Sequence, residues 1–500
     1  MKKISLLLSF VFLLAACNKG QSPRKNDSPA FATATEINGR LGRGINMGNM
    51  YEAETAWQGR LDPDYFRLVA EQGFKHVRVP IKWERADRSL ASAPFTIQQT
   101  FLQEIKAVVD AALKNKLHVI LNMHHHDGLL ADPAGQKERF LSQWKQISEY
   151  FKSYPDSLLF EILNEPNGKM TAALWNEYAA LALNAIRQTN PARTVLVGTP
   201  DWGGVASIDK LVIPDDPYLI LTVHYYNPFH FTHQGASWVA NSDPWLGTKW
   251  YDTNYERDAV ANEFKKVALV SKEKNIPVHV GEFGAYSKAD MDSRVRWTRF
   301  VARWFEAQKF SWAYWEFNSG FGIYDPAAKQ FRMPLLSALT KDAMAAAYQP
   351  QLKTLYTANF SGGRNDGWSL HNTDVSAASS MAVVDGKLMA TITRPGTESW
   401  HIQFIRGGFG LEKGKMYRVS FNAYAGSNKT IRADFSLNAQ PWTNYSGSNS
   451  FDINNIDATY SFVFTSATTD PMARLVFSIG NAGLSGVTLY NIVVQEVLIN

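Results

Sequence analysis

Cysteine is nearly absent: the 500-residue sequence contains one, Cys17. Intramolecular disulfides and Cys-clustered zinc or iron–sulfur sites are thereby excluded. Net charge is scarce as well. Fifty-one Lys and Arg against 46 Asp and Glu leave +5, and Lys2 and Lys3 at the extreme N-terminus supply two of those charges. The remainder is too weak to build a nucleic-acid or anionic-membrane surface. Beyond Ala16 no apolar run approaches the length of a membrane span. Phosphate-cradling turns are missing: Gly42-Arg43-Gly44 followed by Gly48 is one residue off the dinucleotide spacing, and there is no Walker A sequence. No Gly-x-Ser-x-Gly elbow occurs, which argues against a serine esterase.

What is abundant is globular and aromatic. Hydrophobic residues make up 45% and charged ones 19%, with 15 Trp, 20 Tyr and 29 Phe. The length suggests two or three domains. Residues 1–17 have a charged start, a short apolar stretch from Ile4 and small residues before Cys17, the pattern of a secretion signal. Leu14-Ala15-Ala16-Cys17 resembles the bacterial lipobox, whose cysteine becomes the lipidated first residue. Asn18 in place of Asp points that resemblance towards the outer membrane or cell surface. Residues 18–36 read as a polar tether, leaving lipid as the expected membrane contact.

From 37 to 345, short apolar runs alternate with amphipathic helical stretches. The candidate strands are Gly44–Met47, His76–Ile81, Leu117–Met123, Leu158–Leu163, Thr194–Thr199, Leu219–His224, Pro277–Glu282 and Trp312–Glu316. Eight strand–helix alternations in about 300 residues predict a (β/α)8 TIM barrel, with a doubly wound sheet as the alternative. Residues 346–357 read as a linker. From 358 to 500, short alternating stretches separated by Gly, Asn, Ser and Asp predict an all-β jelly-roll sandwich.

Active sites of such barrels lie at the C-terminal strand ends, and reactive residues collect there in phase. Asn49 and Glu52 follow the first strand. Arg78 lies in the second, and His124 and His125 end the third. Asn164 and Glu165 end the fourth, and Trp202 follows the fifth. His224 and Tyr226 end the sixth, Glu282 the seventh and Trp315 the eighth. Two carboxylates on different strands, Glu165 and Glu282, suit the acid/base and nucleophile pair of glycoside hydrolysis. Tryptophans beside them suit stacking on pyranose rings. Residues alone leave open which glutamate does which task.

The stretches Gly44-Ile-Asn-Met-Gly-Asn49, Val77-Arg-Val-Pro80, Leu121-Asn-Met-His-His125, Phe160-Glu-Ile-Leu-Asn-Glu-Pro166, His224-Tyr-Tyr-Asn-Pro-Phe229, Gly281-Glu-Phe-Gly284 and Trp312-Ala-Tyr-Trp-Glu-Phe317 resemble glycoside hydrolase family 5. Its bacterial endo-β-1,4-glucanases, including a subgroup that also cleaves mannan, are the most similar. The resemblance implies Glu165 as acid/base and Glu282 as nucleophile of a retaining double displacement. It also implies supporting roles for Arg78, His124, Asn164, His224, Tyr226 and Trp315. His125, His233, Trp202 and Trp238 are further candidate sugar contacts. No cofactor is implied. His124-His125-His126-Asp127 does not make a metal site, because neighbours on an extended segment face opposite ways. Glu161 has the parity of Glu165 but lies too deep to react, and a buried structural role is expected.

The C-terminal stretches Trp400-His-Ile-Gln-Phe404, Leu411–Phe421 and Gly486–Val494 resemble carbohydrate-binding modules of family 4/9. Trp368, Trp442 and Tyr445 are candidate platforms, with core packing the alternative for each. Tyr490-Asn491 stands where Asp-Asn is common, so calcium is unsupported. The expected whole is a monomeric, exported, lipid-anchored endoglucanase whose partner is β-glucan or a related polysaccharide. The alternatives are a β-mannanase and a non-catalytic glycan-binding surface lipoprotein.

Overall fold

The computed structural model describes residues 31–53, 61–447, 449–481 and 483–499. The expected signal segment, its Cys17 and most of the expected tether lie outside the described residues. Among those described, no helix is long and apolar enough to cross a membrane.

Eight parallel strands close into a barrel: β1 (Arg43–Asn46), β2 (His76–Val79), β3 (His118–Asn122), β4 (Leu158–Glu161), β5 (Val195–Gly198), β6 (Leu219–Tyr225), β7 (Val278–Phe283) and β8 (Ser311–Tyr314). Strand β8 pairs back onto β1 through Arg43↔Trp312 and Ile45↔Tyr314. Each strand falls within about two residues of its expectation, because buried parallel strands read as short apolar runs. The barrel is a TIM barrel in architecture, with helices such as Gln99–Lys114, Ala172–Arg187 and Met291–Ala307 around it. Along each strand one parity faces the helices and the other the interior. Val77 and Val79 belong to the large apolar cluster between strands and helices, while Arg78 shares the interior with Asn46 and Glu161.

The floor of the barrel is sealed by a helix that corrects one expectation. Residues 34–36, read as tether, open the helix Ala34–Leu41. Thr33 and Glu36 form a capping box at its start. That pairing is local and polar, so it resembled a solvated spacer. Ala34, Ile37 and Leu41 are buried against Ile120, Leu159, Leu196 and Ile220 near the N-terminal ends of β3 to β6.

After a two-stranded hairpin of β9 (Tyr324–Asp325) and β10 (Gln330–Phe331), the chain enters an all-β unit. Residues 351–357, read as linker, instead belong to the strand β11 (Gln351–Ala358), paired antiparallel with β21 (Val487–Leu498). Most of β11 is exposed, and its partner lies at the far end of the sequence, so it gave no apolar signal. One sheet runs β13 (Ala377–Val384), β14 (Lys387–Pro395), β21, β16 (Met416–Ala425), β19 (Ala458–Thr465). The facing sheet runs β12 (Ser369–Asn372), β15 (Ile402–Leu411), β20 (Asp470–Ser478), β17 (Lys429–Ser436), β18 (Asn449–Ile453). Inward residues such as Phe404, Phe421, Phe435 and Phe477 fill one core between the sheets. Trp368 is 1% exposed and donates to the Tyr356 hydroxyl, so it packs in this core rather than forming a platform. The side chain of Tyr445 packs on the same core and donates to Asp470.

Candidate active site

At the centre of the barrel mouth, Arg78 is fully buried and spends its whole fork on four partners. Nε and Nη2 donate to the two oxygens of Glu161 at 2.6 and 2.7 Å. Nη1 donates to Asn46 Oδ1 and to Glu282 Oε1, each at 2.8 Å. Nη2 also donates to Asn164 Oδ1 at 2.6 Å. A planar guanidinium presents five N–H donors in fixed directions, so this set locks its orientation. Burial disfavours the Arg78 charge, and the carboxylates of Glu161 and Glu282 more than restore it.

Glu282 therefore receives Arg78 on one oxygen. On the other it receives the Tyr226 hydroxyl at 2.9 Å. Burial, and then the Glu282 charge, hold the Tyr226 phenol well above its ordinary range, so it stays a donor. His224 Nδ1 lies 2.7 Å from Glu165 Oε1 and 3.7 Å from Glu282 Oε2. Burial lowers the His224 pKa, but the Glu282 charge and the Glu165 hydrogen bond outweigh it and leave it raised. The backbone here runs close: Gly203, at φ +67°, brings a Cβ position within 3.3 Å of the His224 ring. One oxygen from each glutamate and a His224 nitrogen lie within 4.8 Å of one another. That is also a divalent-ion spacing. Both Glu282 oxygens are already engaged by Arg78 and Tyr226, however, and a guanidinium at 2.8 Å opposes a second cation.

His124 stacks on Trp315 with centroids 5.4 Å apart and an interplanar angle of 12°. Its Nε2 is 3.9 Å from Glu282 Oε1. Burial, and then the charges of His125 and Arg78, push its pKa well below the ordinary value, so it is a neutral donor or acceptor. His125 is exposed and meets the His124 ring edge-on at 4.7 Å. Trp202 is 62% exposed beside Pro166, and Trp238 is 57% exposed against the edge of Tyr286. His233 is buried and touches the Tyr226 ring at 5.0 Å.

Asn49, at φ 63°, donates from Nδ2 to Ser319 Oγ at 2.8 Å. Glu52 turns back to accept from the backbone N–H groups of Asn49 and Met50. Burial pushes its carboxyl up to about 7. Thus Glu52 holds the Asn49 turn, and Asn49 joins through Ser319 to Glu316, the residue after Trp315. The Glu316 carboxylate accepts from the backbone of Asn318, Ser319 and Phe321 and from the Ser319 hydroxyl. Burial also carries Glu316 to about 7.

The structure thus gathers Glu165, Glu282, Arg78, Asn164, His224, Tyr226, His124 and Trp315 into one cluster. His125, His233, Trp202 and Trp238 lie around it. Glu161 takes the buried, hydrogen-bonded role expected of it, but sequence reasoning missed Asn46 and the pairing of Glu161 with Arg78. Asn46 also donates to the carbonyls of Gly281, Ala313 and Tyr314, tying β1 to β7 and β8. Its signal was a polar residue at an interior position of an otherwise apolar strand.

A closed parallel barrel with a carboxylate pair at the ends of β4 and β7 is the architecture of the barrel glycoside hydrolases. Residues 40–320 match the family described as Cellulase (glycosyl hydrolase family 5), and the chain belongs to that family. Residues 352–484 match the family described as Carbohydrate binding domain. The chain is 35% identical over 332 residues to Endoglucanase H of Acetivibrio thermocellus, covering 65% of this chain and 35% of that protein. It is 28% identical over 356 residues to Endoglucanase A of Clostridium longisporum, covering 64% and 66%. The chain thus spans about a third of the first relative's length. Crystal structures of Thermotoga maritima Cel5A with mannotriose and with cellobiose are each 45% identical, with TM-score 0.60, covering 61% of this chain and 99% of theirs.

Proposed function

We propose that the protein is a retaining endo-β-1,4-glucanase acting on cellulose-type, mixed-linkage and glucomannan chains. The carrying observation is the carboxylate pair. Glu165 and Glu282 approach within 4.8 Å, on the short side of the division between retaining and inverting pairs. Glu282, aimed by Arg78 and Tyr226, attacks the anomeric carbon while Glu165 protonates the departing glycosidic oxygen. Water then adds to the anomeric carbon, with Glu165 taking its proton and the Glu282–sugar bond breaking. Asn164, fixed by Arg78, is placed for the 2-hydroxyl of the reacting sugar, and the His124–Trp315 stack forms the wall beside it. Mannan is the second reading, favoured by the mannotriose in the similar Thermotoga structure.

The β-unit is proposed to hold the same polysaccharide. Trp400 is 50% exposed. Beside it, Asn428, Lys429, Thr430, Arg432 and Asn481 line a polar cleft of about 570 Å³ suited to sugar hydroxyls. Cys17 is proposed as a lipid attachment point of an exported, surface-held enzyme.

The test is release of reducing ends from carboxymethylcellulose, barley glucan, glucomannan and mannan. Wild type is expected to cut the glucans, and Glu282→Gln to lose at least about 10³-fold in kcat. Full activity of Glu282→Gln on every glucan would overturn the reading.

A further inference from the structure

The contact between His224 and Glu165 uses one ring nitrogen and leaves the other buried behind it. Nδ1 lies 2.7 Å from Glu165 Oε1. Nε2 is buried and has no hydrogen-bond partner among the described residues. Two positions earlier on β6, and so on the same interior parity, Thr222 is 1% exposed. Its Oγ1 is likewise buried without a partner. The two atoms converge on one place. A Cβ added to Gly281 of β7 would lie 2.8 Å from Thr222 Oγ1 and 3.2 Å from His224 Nε2. Glycine carries no Cβ, so this place between β6 and β7 is left clear of side-chain atoms.

The surroundings hold both groups there. The Thr222 methyl is 3.5 Å from the corresponding Cβ position of Gly198 on β5, so its hydroxyl points the other way, towards Gly281. Gly203 backs the His224 ring, its Cβ position 3.3 Å from Cγ and Nδ1. Asn46 donates to the Gly281 carbonyl at 2.9 Å and ties that backbone to β1. Buried polar atoms are paired with protein or with ordered water. Two such atoms, held in place and aimed at one point clear of side chains, suit a single water molecule. Water also suits an imidazole that changes charge. It donates to a bare Nε2 and accepts from a protonated one.

We propose that Thr222 and Gly281 hold a water molecule against His224 Nε2 and thereby position the acid/base Glu165. With Nε2 engaged, a proton stays on Nδ1, because the partner of one imidazole nitrogen decides whether the other carries the proton. Nδ1–H then donates to Glu165 Oε1 whether the ring is neutral or charged. The acidic proton of Glu165 is left on Oε2, from which it passes to the departing glycosidic oxygen. Thr222 and Gly281 are both buried and act through His224, so they are positioning residues. The inference rests on the glycanase reading above.

The experiment compares kcat/KM on cellotetraose, whose departing sugar needs the acid's proton, with kcat/KM on dinitrophenyl β-cellobioside, whose phenolate leaves without it. Thr222→Val and Gly281→Ala are each expected to lose about tenfold on cellotetraose and less than about twofold on the aryl glycoside. Thr222→Ser keeps the hydroxyl and is expected to stay within about twofold of wild type on both. Crystals of wild type and of Thr222→Ser are expected to show the water between the hydroxyl at 222 and His224 Nε2, and crystals of Thr222→Val to lack it. Equal losses on the two substrates, no loss on either, or wild-type density without that water would overturn the proposal. Thr222→Val preserves the side-chain shape and carries the test if Gly281→Ala fails to fold. Wild type that cuts neither substrate would instead overturn the glycanase reading itself.

Discussion

Arg78 serves two carboxylates at once, Glu161 and Glu282, and in the proposed mechanism only Glu282 meets the sugar. Glu161 is 0% exposed and occupies Nε and Nη2. Glu282 and Asn164, which meet the sugar in the proposed mechanism, receive what the fork has left. Glu161 is therefore a positioning residue: it fixes the guanidinium plane and takes half of its charge. Glu161→Gln keeps the volume and one acceptor but removes the negative charge. Arg78 is then balanced by Glu282 alone. The expected outcome is a fall in kcat of about 10²-fold, with the acidic limb of the kcat/KM profile moved to lower pH. Stability is expected to drop by about 3 kcal/mol, as for other broken buried pairs. A pH profile identical to wild type would show that Glu161 supports the fold and nothing more. Its burial and parity were legible from the spacing Glu161-Ile-Leu-Asn-Glu165. Its partner was not, because Arg78 lies 83 residues away and strand neighbours around a barrel are set by closure, not by local pattern.

The same limit operates between elements. Strand positions in the barrel were readable because each strand is a short apolar run flanked by turn residues. The site was readable because its residues end those strands. The N-terminal helix Ala34–Leu41 was not, since its apolar residues are few and spaced for a floor that exists only once the barrel has closed. Leu41 is 0% exposed there. Leu41→Ala is expected to cost 2–5 kcal/mol, the range for an incompletely refilled cavity. The catalytic cluster sits at the opposite ends of the strands, so kcat/KM at 25 °C is expected to stay within about twofold. Urea midpoints and initial rates on a soluble glucan check both. A proportionate loss of activity would show that the floor and the mouth are coupled. Strand β11 was missed for a related reason: its backbone pairs with Ile492 to Leu498, and an exposed strand at a sheet edge has no apolar requirement to betray it.

Across the whole molecule, buried titratable groups set opposing dependences of stability on pH. Imidazoles pushed down by burial, His76 to about 3 and His233 to about 4, favour the folded state increasingly as pH rises towards 6.5. There the unfolded chain stops binding the extra protons. Three buried carboxyls act the other way. Glu52 behind β1, Glu316 behind β8 and Glu256 on the helix Asn254–Lys274 are each raised by burial to about 7. Folded protein therefore binds more protons than unfolded protein between about 4.5 and 7. Their stabilisation is full below 4.5 and is lost as pH rises through 7. Each contributes on the order of 1–3 kcal/mol. Between 4.5 and 6.5 the two sets offset one another, so a bare melting curve against pH mixes them. Glu316→Gln separates one term. The glutamine is uncharged at every pH, like the protonated glutamate below 5. The deficit of the variant relative to wild type is therefore expected to be largest at pH 5 and to shrink, by several degrees in Tm, on going to pH 8. A deficit that stays constant, or that grows with pH, would mean that Glu316 is ionised in the folded protein throughout. The donors from Asn318, Ser319 and Phe321 would then outweigh burial as the influence that holds the loop after Trp315.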